Sequence, residues 1–153
     1  MSDKRHIVCP HCIATNRIPA ERDASDAKCG GCHRPLFDGH PAEVDAATLD
    51  RHLRSDDIPV LLDVWAPWCG PCRAMTPAFA RAAQELEPDF RLLKLNADTA
   101  PEMTGRLGVQ GIPALFLFRH GVIAARNAGA MDANAIVAWA RRHATEAATT
   151  SGR

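Results

Sequence analysis

Along most of the chain the apolar residues follow two different periods. Residues 58–65 (Ile-Pro-Val-Leu-Leu-Asp-Val-Trp) are apolar almost without alternation, which predicts a strand buried on both faces. Over 69–87 the pattern changes, and Cys72, Met75, Phe79, Ala83 and Leu86 recur at helical spacing. A second strand is predicted over 90–96 and a weaker helix over 100–107. Residues 114–118 and 122–127 read as two strands joined through Arg119-His120-Gly121, a hairpin signal. The last helix spans 132–143 and carries Ile136, Val137 and Trp139. Upstream, 46–54 predicts a short helix, with Val44, Leu49 and Leu53 for burial and Asp45 as cap. The order βα, β, α, ββ, α predicts an α/β domain on a mixed sheet, parallel in one half and antiparallel in the other. It spans residues 42–144, and the small polar residues 145–153 read as a flexible, frayed tail.

Residues 1–41 lack this periodicity. They hold few apolar side chains (Ile7, Val8, Ile13, Ile18, Leu36, Phe37), too few for about 40 residues to fold without a staple. Residues 33–41, with Pro35, Gly39 and Pro41, read as a connector.

All 6 cysteines fall in Cys-x-x-Cys pairs: Cys9/Cys12, Cys29/Cys32 and Cys69/Cys72. Structural disulfides do not need that spacing, whereas metal sites and catalytic dithiols use it. The first two pairs are separated by 16 residues, within the spacing of a four-cysteine zinc site. Each pair turns two sulfurs toward one point, and two pairs complete a tetrahedron. The expectation is one structural Zn²⁺ on Cys9, Cys12, Cys29 and Cys32, with Gly30 and Gly31 easing a tight turn through positive φ. His11 and His33 stand beside ligand positions as possible substitutes, and two local redox pairs are the competing reading. Four thiolates would close the coordination shell, so this metal is expected to be structural or redox-sensing.

Formal net charge is zero and no block of like charge occurs, which argues against nucleic acid or an anionic membrane as main partner. Through Pro41 there are six basic and five acidic residues. A Zn²⁺ with four thiolates brings that module near −1, a poor match for a phosphate backbone. No apolar run approaches the roughly 20 residues of a spanning helix. The opening Met1-Ser2-Asp3-Lys4-Arg5-His6 is polar and lacks a signal-type stretch, so a reducing, cytoplasmic setting is expected.

Cys69 and Cys72 lie where a predicted strand hands over to a predicted helix, the setting of a redox dithiol. With only three pairs in the chain, a second four-cysteine metal site cannot be completed. Asp63 interrupts the apolar strand six residues before Cys69, where a carboxyl without a partner is costly and titrates high.

The segment Val60-Leu61-Leu62-Asp63-Val64-Trp65-Ala66-Pro67-Trp68-Cys69-Gly70-Pro71-Cys72 resembles the active-site segment of the thioredoxin family. Gly111-Ile112-Pro113 resembles that family's cis-proline loop, and His120-Gly121 with Asn127-Ala128-Gly129-Ala130 its closing hairpin. The four-cysteine ribbon resembles that of a zinc-bearing bacterial branch of the same family, a match covering nearly the whole chain. The resemblance implies a thioredoxin fold. It implies Cys69 as nucleophile, Cys72 as resolving cysteine, Asp63 as proton carrier for Cys72 with Lys94 nearby, and Pro113 in a cis bond. Trp68, Gly70, Pro71, Ile112 and Gly129 become candidates for substrate contact. The family often carries threonine after this proline; Ala114 stands here.

A protein-disulfide reductase is therefore expected, monomeric and without a bound organic cofactor. The resemblance implies an NADPH-dependent thioredoxin reductase as electron donor. It implies ribonucleotide reductase, peroxiredoxins and methionine sulfoxide reductases as clients. No Gly-x-Gly-x-x-Gly fingerprint is present, so electrons must come from a partner. Two rivals remain at this point: a disulfide oxidase or isomerase, and a zinc-regulated binding module that uses its dithiol domain for docking.

Overall fold

The periodic half of the chain folds around one five-stranded sheet. A computed structural model describes the backbone of residues 4–150 and the side chains of 4–145. A hairpin comes first, β1 (Lys4–Val8) with β2 (Thr15–Pro19). There follow β3 (Ala42–Val44), α1 (Ala46–Ser55), β4 (Val60–Trp65), α2 (Gly70–Leu86), β5 (Arg91–Asn96), α3 (Pro101–Arg106), β6 (Ala114–Arg119), β7 (Val122–Ala128) and α4 (Ala133–Thr150). The sheet order is β3-β5-β4-β6-β7. β3, β5 and β4 run parallel, and β4, β6 and β7 pair antiparallel. This is the mixed sheet that the periodicity predicts.

β4 lies at its centre, and alternate residues serve opposite faces. Leu61 joins Leu92, Leu115 and Leu117 under α2 and α4, among Phe79, Ala83, Ile136 and Trp139. Leu62 and Val64 face the other way, with Leu93, Leu95 and Phe116, toward α1 and α3. Met75 and Met103 are buried in these two clusters and Met131 packs against the first. α2 runs unbroken through Pro77. Asp45 caps α1 by accepting the Thr48 N–H at 2.8 Å, and Asp132 does the same for Ala135 N–H at the start of α4.

Three expectations change. Residues 42–44 form an edge strand rather than the approach to a helix, with Val44 buried. The last helix runs past residue 143: α4 continues to Thr150, and residues 151–153 lie outside the described residues. The connector also contributes to packing. Leu36 and Phe37 are buried in one cluster with Ile7, Ile18 and Ile58.

The ribbon is fastened to the main domain by buried charges. Arg91, at the start of β5, is 2% exposed. Its guanidinium donates to Leu36 O at 2.8 Å and Val8 O at 3.0 Å, and it stacks on the Phe37 ring at 4.3 Å. Val8 N–H donates to Asp56 Oδ1 at 2.7 Å, and the other Asp56 oxygen meets His52 Nδ1 at 2.5 Å, with both side chains fully enclosed. At the rim, His6 and Asp57 exchange backbone and side-chain bonds, and Gly39 N–H donates to Glu87 Oε1 at 3.0 Å. Burial pulls the Arg91 pKa down, opposed by Asp56 and Glu87; an arginine nevertheless keeps its charge.

Removing one member of such a network leaves the others buried and unpaired. Arg91→Ala is therefore expected to lower the unfolding free energy by about 3 kcal/mol. Chemical denaturation of the zinc-loaded chain measures this, and a change below about 0.5 kcal/mol would show that the ribbon is held by other contacts.

Candidate functional site: a dithiol at a helix N-terminus and a four-cysteine cluster

The strand-to-helix handover at the end of β4 places the dithiol. Cys69 is the N-cap residue of α2, and its Sγ accepts the Cys72 N–H at 3.2 Å. Pro71 occupies the first turn, where a missing N–H costs nothing. Cys69 and Cys72 are joined as a disulfide. Both residues are buried, Cys72 at 1% and Cys69 at 5% exposure.

A second loop faces the first. The Ile112–Pro113 bond is cis, as the resemblance implied, and so is the Glu87–Pro88 bond, which was not anticipated. Ile112 O lies 3.8 Å from Cys69 Sγ. Between the loops runs an open groove of about 490 Å³, lined by Trp68, Cys69, Gly70, Pro71 and residues 109–112. Trp68 stands 68% exposed on its rim, its Nε1–H donating to Asp98 Oδ1 at 3.1 Å. Gly129 N–H donates to Pro113 O at 2.8 Å. Gly129 has φ +107°, and a Cβ there would meet nothing within 4 Å, so its backbone is open to an approaching chain.

On β4, six residues before Cys69, Asp63 is 1% exposed, and neither carboxylate oxygen has a hydrogen-bond partner. Burial pushes its pKa up to about 7; Lys94 pulls it down and Glu43 adds to the rise. Lys94 is the register partner of Asp63 on β5, but its ammonium sits over the Trp65 ring, 4.6 Å from the centroid. Trp65 packs with Ile112 against Ala66, Cys69 and Cys72.

Cys69, Trp68, Gly70, Pro71 and Ile112 thus share one groove, with Cys72 buried behind Cys69 and with Pro113 and Gly129 beside it. Sequence reasoning missed Val109 and Gln110, the Asp98 partner of Trp68, and Glu43, whose Oε2 accepts the Trp65 Nε1–H at 2.9 Å. Nothing in the local pattern marks Glu43, because its strand is three residues long.

The other four cysteines converge. Sγ atoms of Cys9, Cys12, Cys29 and Cys32 all lie within 4.8 Å of one another. Cys9–Cys32 and Cys12–Cys29 sulfurs are 3.6 and 3.5 Å apart. A tetrahedron with metal–sulfur bonds near 2.3 Å has sulfur–sulfur edges of about 3.8 Å, so the cluster fits Zn²⁺ closely. Each knuckle aims backbone N–H groups at its first sulfur, from His11 to Cys9 and from Gly31 to Cys29, both at 3.3 Å. Burial pushes the Cys9 thiol up to about 12. At Cys29 the same push is outweighed by N–H donors from Cys32, Asn16 and Gly31, which bring it down to about 6. Asn16, unmarked in the sequence, also accepts Gly30 N–H at 2.9 Å.

The glycine expectation is corrected here. Positive φ falls on Ile13 (63°) and His33 (67°), the residues after the second cysteine of each pair, and not on Gly30 or Gly31. Those residues close each turn by donating back to Cys9 O and Cys29 O. A Cβ at Gly31 would sit 3.5 Å from Cys12 Sγ and 3.6 Å from Cys29 Sγ, ordinary van der Waals contact, so space does not demand glycine there either.

A folded-state carboxyl raised above its unfolded value binds protons more tightly than the unfolded chain does. Asp63 therefore subtracts stability as pH rises from about 4 toward 7, and the loss persists above 7. Asp63→Asn is expected to be more stable than the parent by about 2–4 kcal/mol at pH 8 and nearly equal to it at pH 4. Denaturant titrations at the two pH values check this, and a pH-independent difference would refute it.

Comparison with known proteins matches both parts of the chain. Residues 40–142 fit the family model described as Thioredoxin, and residues 8–34 fit the one described as Thioredoxin 2, N-terminal. Thioredoxin C-3 of Corynebacterium nephridii is 35% identical over 133 residues, covering 87% of this chain and 91% of that protein. Thioredoxin 1 of Chlorobaculum tepidum is 43% identical over 86 residues, 56% of this chain and 85% of that one. Among solved structures, a mutant thioredoxin from Halobacterium salinarum NRC-1 is similar at TM-score 0.63 and 28% identity, over 70% of this chain and 93% of that chain. Chloroplastic thioredoxin z, at TM-score 0.64 and 21% identity over 69% of this chain and 96% of that one, shares the fold. The chain belongs to the thioredoxin family, whose members are thiol–disulfide oxidoreductases.

Proposed function

We propose that this protein is a protein-disulfide reductase in which Cys69 attacks and Cys72 resolves. The observation that carries the reading is Cys69 Sγ at the first turn of α2, facing Ile112 O across an open groove. In the reduced protein, N–H groups and the helix dipole favour the Cys69 thiolate. That thiolate attacks one sulfur of a client disulfide, and the client's other sulfur leaves as thiolate. Cys72 then gives up its proton and attacks Cys69 Sγ. The mixed disulfide breaks, the second client sulfur leaves as thiolate, and Cys69/Cys72 becomes a disulfide, having given up the two electrons that the client has gained.

Asp63 takes the Cys72 proton in this scheme. A carboxyl near pH 7 can both accept and return it. The client lies extended beside Ile112, Pro113 and Gly129, pairing backbone groups as an added strand does. Trp68, Gly70 and Pro71 supply the apolar side of the groove. Electrons return from an NADPH-dependent thioredoxin reductase. Ribonucleotide reductase, peroxiredoxins and methionine sulfoxide reductases are the clients this chemistry fits. The protein acts as a cytoplasmic monomer; among the described residues no helix is long and apolar enough to cross a membrane.

The ribbon holds a single structural Zn²⁺ on Cys9, Cys12, Cys29 and Cys32. When bound it supplies a cross-link that organises a module with little core of its own. The four side chains can keep that ion only as thiolates.

Cys72→Ser is expected to accumulate a mixed disulfide between Cys69 and a model client, visible by non-reducing electrophoresis and mass spectrometry. Cys69→Ser should form none and lose reductase activity by at least about 10³-fold. Trapping through the residual thiol of the Cys69→Ser protein instead would reverse the assignment. Peroxide is expected to release one equivalent of Zn²⁺ per chain as the four ribbon thiols oxidise, followed with a chromogenic chelator. Full oxidation with the metal retained would refute the site.

A further inference from the structure

Three charged side chains stand in one row across the parallel half of the sheet. Glu43 on β3 is the register partner of Lys94 on β5, and Lys94 is the partner of Asp63 on β4. Asp63 has no hydrogen-bond partner although an ammonium belongs to the adjacent strand. The arrangement around Trp65 accounts for this. Glu43 Oε2 accepts the indole Nε1–H at 2.9 Å, and Lys94 Nζ lies over the same ring at 4.6 Å. The indole is a plate, with a carboxylate at its edge and a cation on its face. It also packs against the buried cluster of Ala66, Cys69 and Cys72.

We propose that Glu43 is a positioning residue for proton exchange at Asp63: it fixes the Trp65 indole and draws Lys94 over that ring, so that Lys94 does not close onto the Asp63 carboxylate. The proposal rests on the reading of Asp63 as the proton acceptor for Cys72. Were Lys94 to contact Asp63, the carboxylate would be held ionised and would return a proton poorly. The electrostatics agree with the geometry. Lys94 lowers the Asp63 pKa too little to offset burial, and Glu43 adds to the rise. Glu43 is itself raised, by burial, against the Trp65 hydrogen bond and the Lys94 charge. The charged groups that act on Asp63 are Lys94 from β5 and Glu43 from β3; from β6 it faces Leu115, and α2 and α4 bring apolar side chains to this face of the sheet.

The test is the pH titration of the Asp63 carboxyl carbon by ¹³C NMR in the full, oxidised, zinc-loaded chain. Glu43→Gln keeps an acceptor for the indole and removes the charge; it is expected to lower the Asp63 midpoint by about half a pH unit. In a Lys94→Gln background the same substitution should give a clearly smaller drop. An unchanged midpoint in Glu43→Gln overturns the proposal. An equal drop in both backgrounds also overturns it, because Glu43 would then act through space and not through Lys94. Glu43→Ala, which also frees the indole, should move the midpoint at least as far; a lowered melting temperature with a fixed midpoint would mean a merely structural residue. A kinetic arm separates this from the underlying reading. If Asp63→Asn flattens the pH profile of client reduction while Glu43→Gln leaves the Asp63 midpoint in place, only the Glu43 role falls. If Asp63→Asn leaves that profile unchanged, the proton role of Asp63 falls, and the catalytic meaning of Glu43 with it.

Discussion

At the first turn of α2, the Cys72 N–H points at Cys69 Sγ from 3.2 Å. The bond is a helix cap made by sulfur, and the chemistry of the site depends on it. It exists because β4 ends at Trp65 and α2 begins at Gly70, leaving Cys69 as the last residue before the helical backbone. An N-cap position leaves N–H groups without intrahelical partners, and they favour charge on the nearest atom. The strand that delivers Cys69 to this point also buries Asp63, since β4 is covered on both faces. Placement of the thiol and poising of the acid therefore follow from one structural feature, an apolar strand running into a helix.

The second unit is coupled to the first by burial of charge. Arg91 belongs to β5, yet its hydrogen bonds go to Val8 and Leu36. Val8 immediately precedes Cys9, so the guanidinium and the Asp56 carboxylate grip the backbone beside the first ribbon cysteine. Ribbon and sheet share the apolar cluster that includes Phe37 and Ile58. The backbone beside Cys9 is thus joined directly to the C-terminal end of α1 and to the start of β5.

Much of this was legible in the sequence, for identifiable reasons. β4, α2 and α4 carry long, strongly periodic runs, and the three Cys-x-x-Cys pairs sort by spacing and by what flanks them. β3 escaped notice because three residues at a sheet edge are shorter than any period can reveal. The ribbon strands escaped because a two-stranded sheet over a tiny core needs few apolar positions. Arg91 and Asp56 were invisible as partners of Val8, since their meeting is a matter of tertiary packing across 83 and 48 residues. The left-handed residues of the knuckles were misplaced for a different reason. Glycine was assumed where φ must be positive, but Ile13 and His33 take that conformation, held by hydrogen bonds to Cys9 O and Cys29 O.

The central claim is that Cys69 and Cys72 form a reducing dithiol. Its most direct test is the equilibrium reduction potential of that pair in the zinc-loaded chain, measured against a glutathione buffer. The account predicts a value at the thioredoxin end of the scale, about −270 mV, where the dithiol passes electrons to clients in a reducing compartment. A value near −180 mV, that of disulfide isomerases, would contradict it and assign the pair to disulfide formation or exchange.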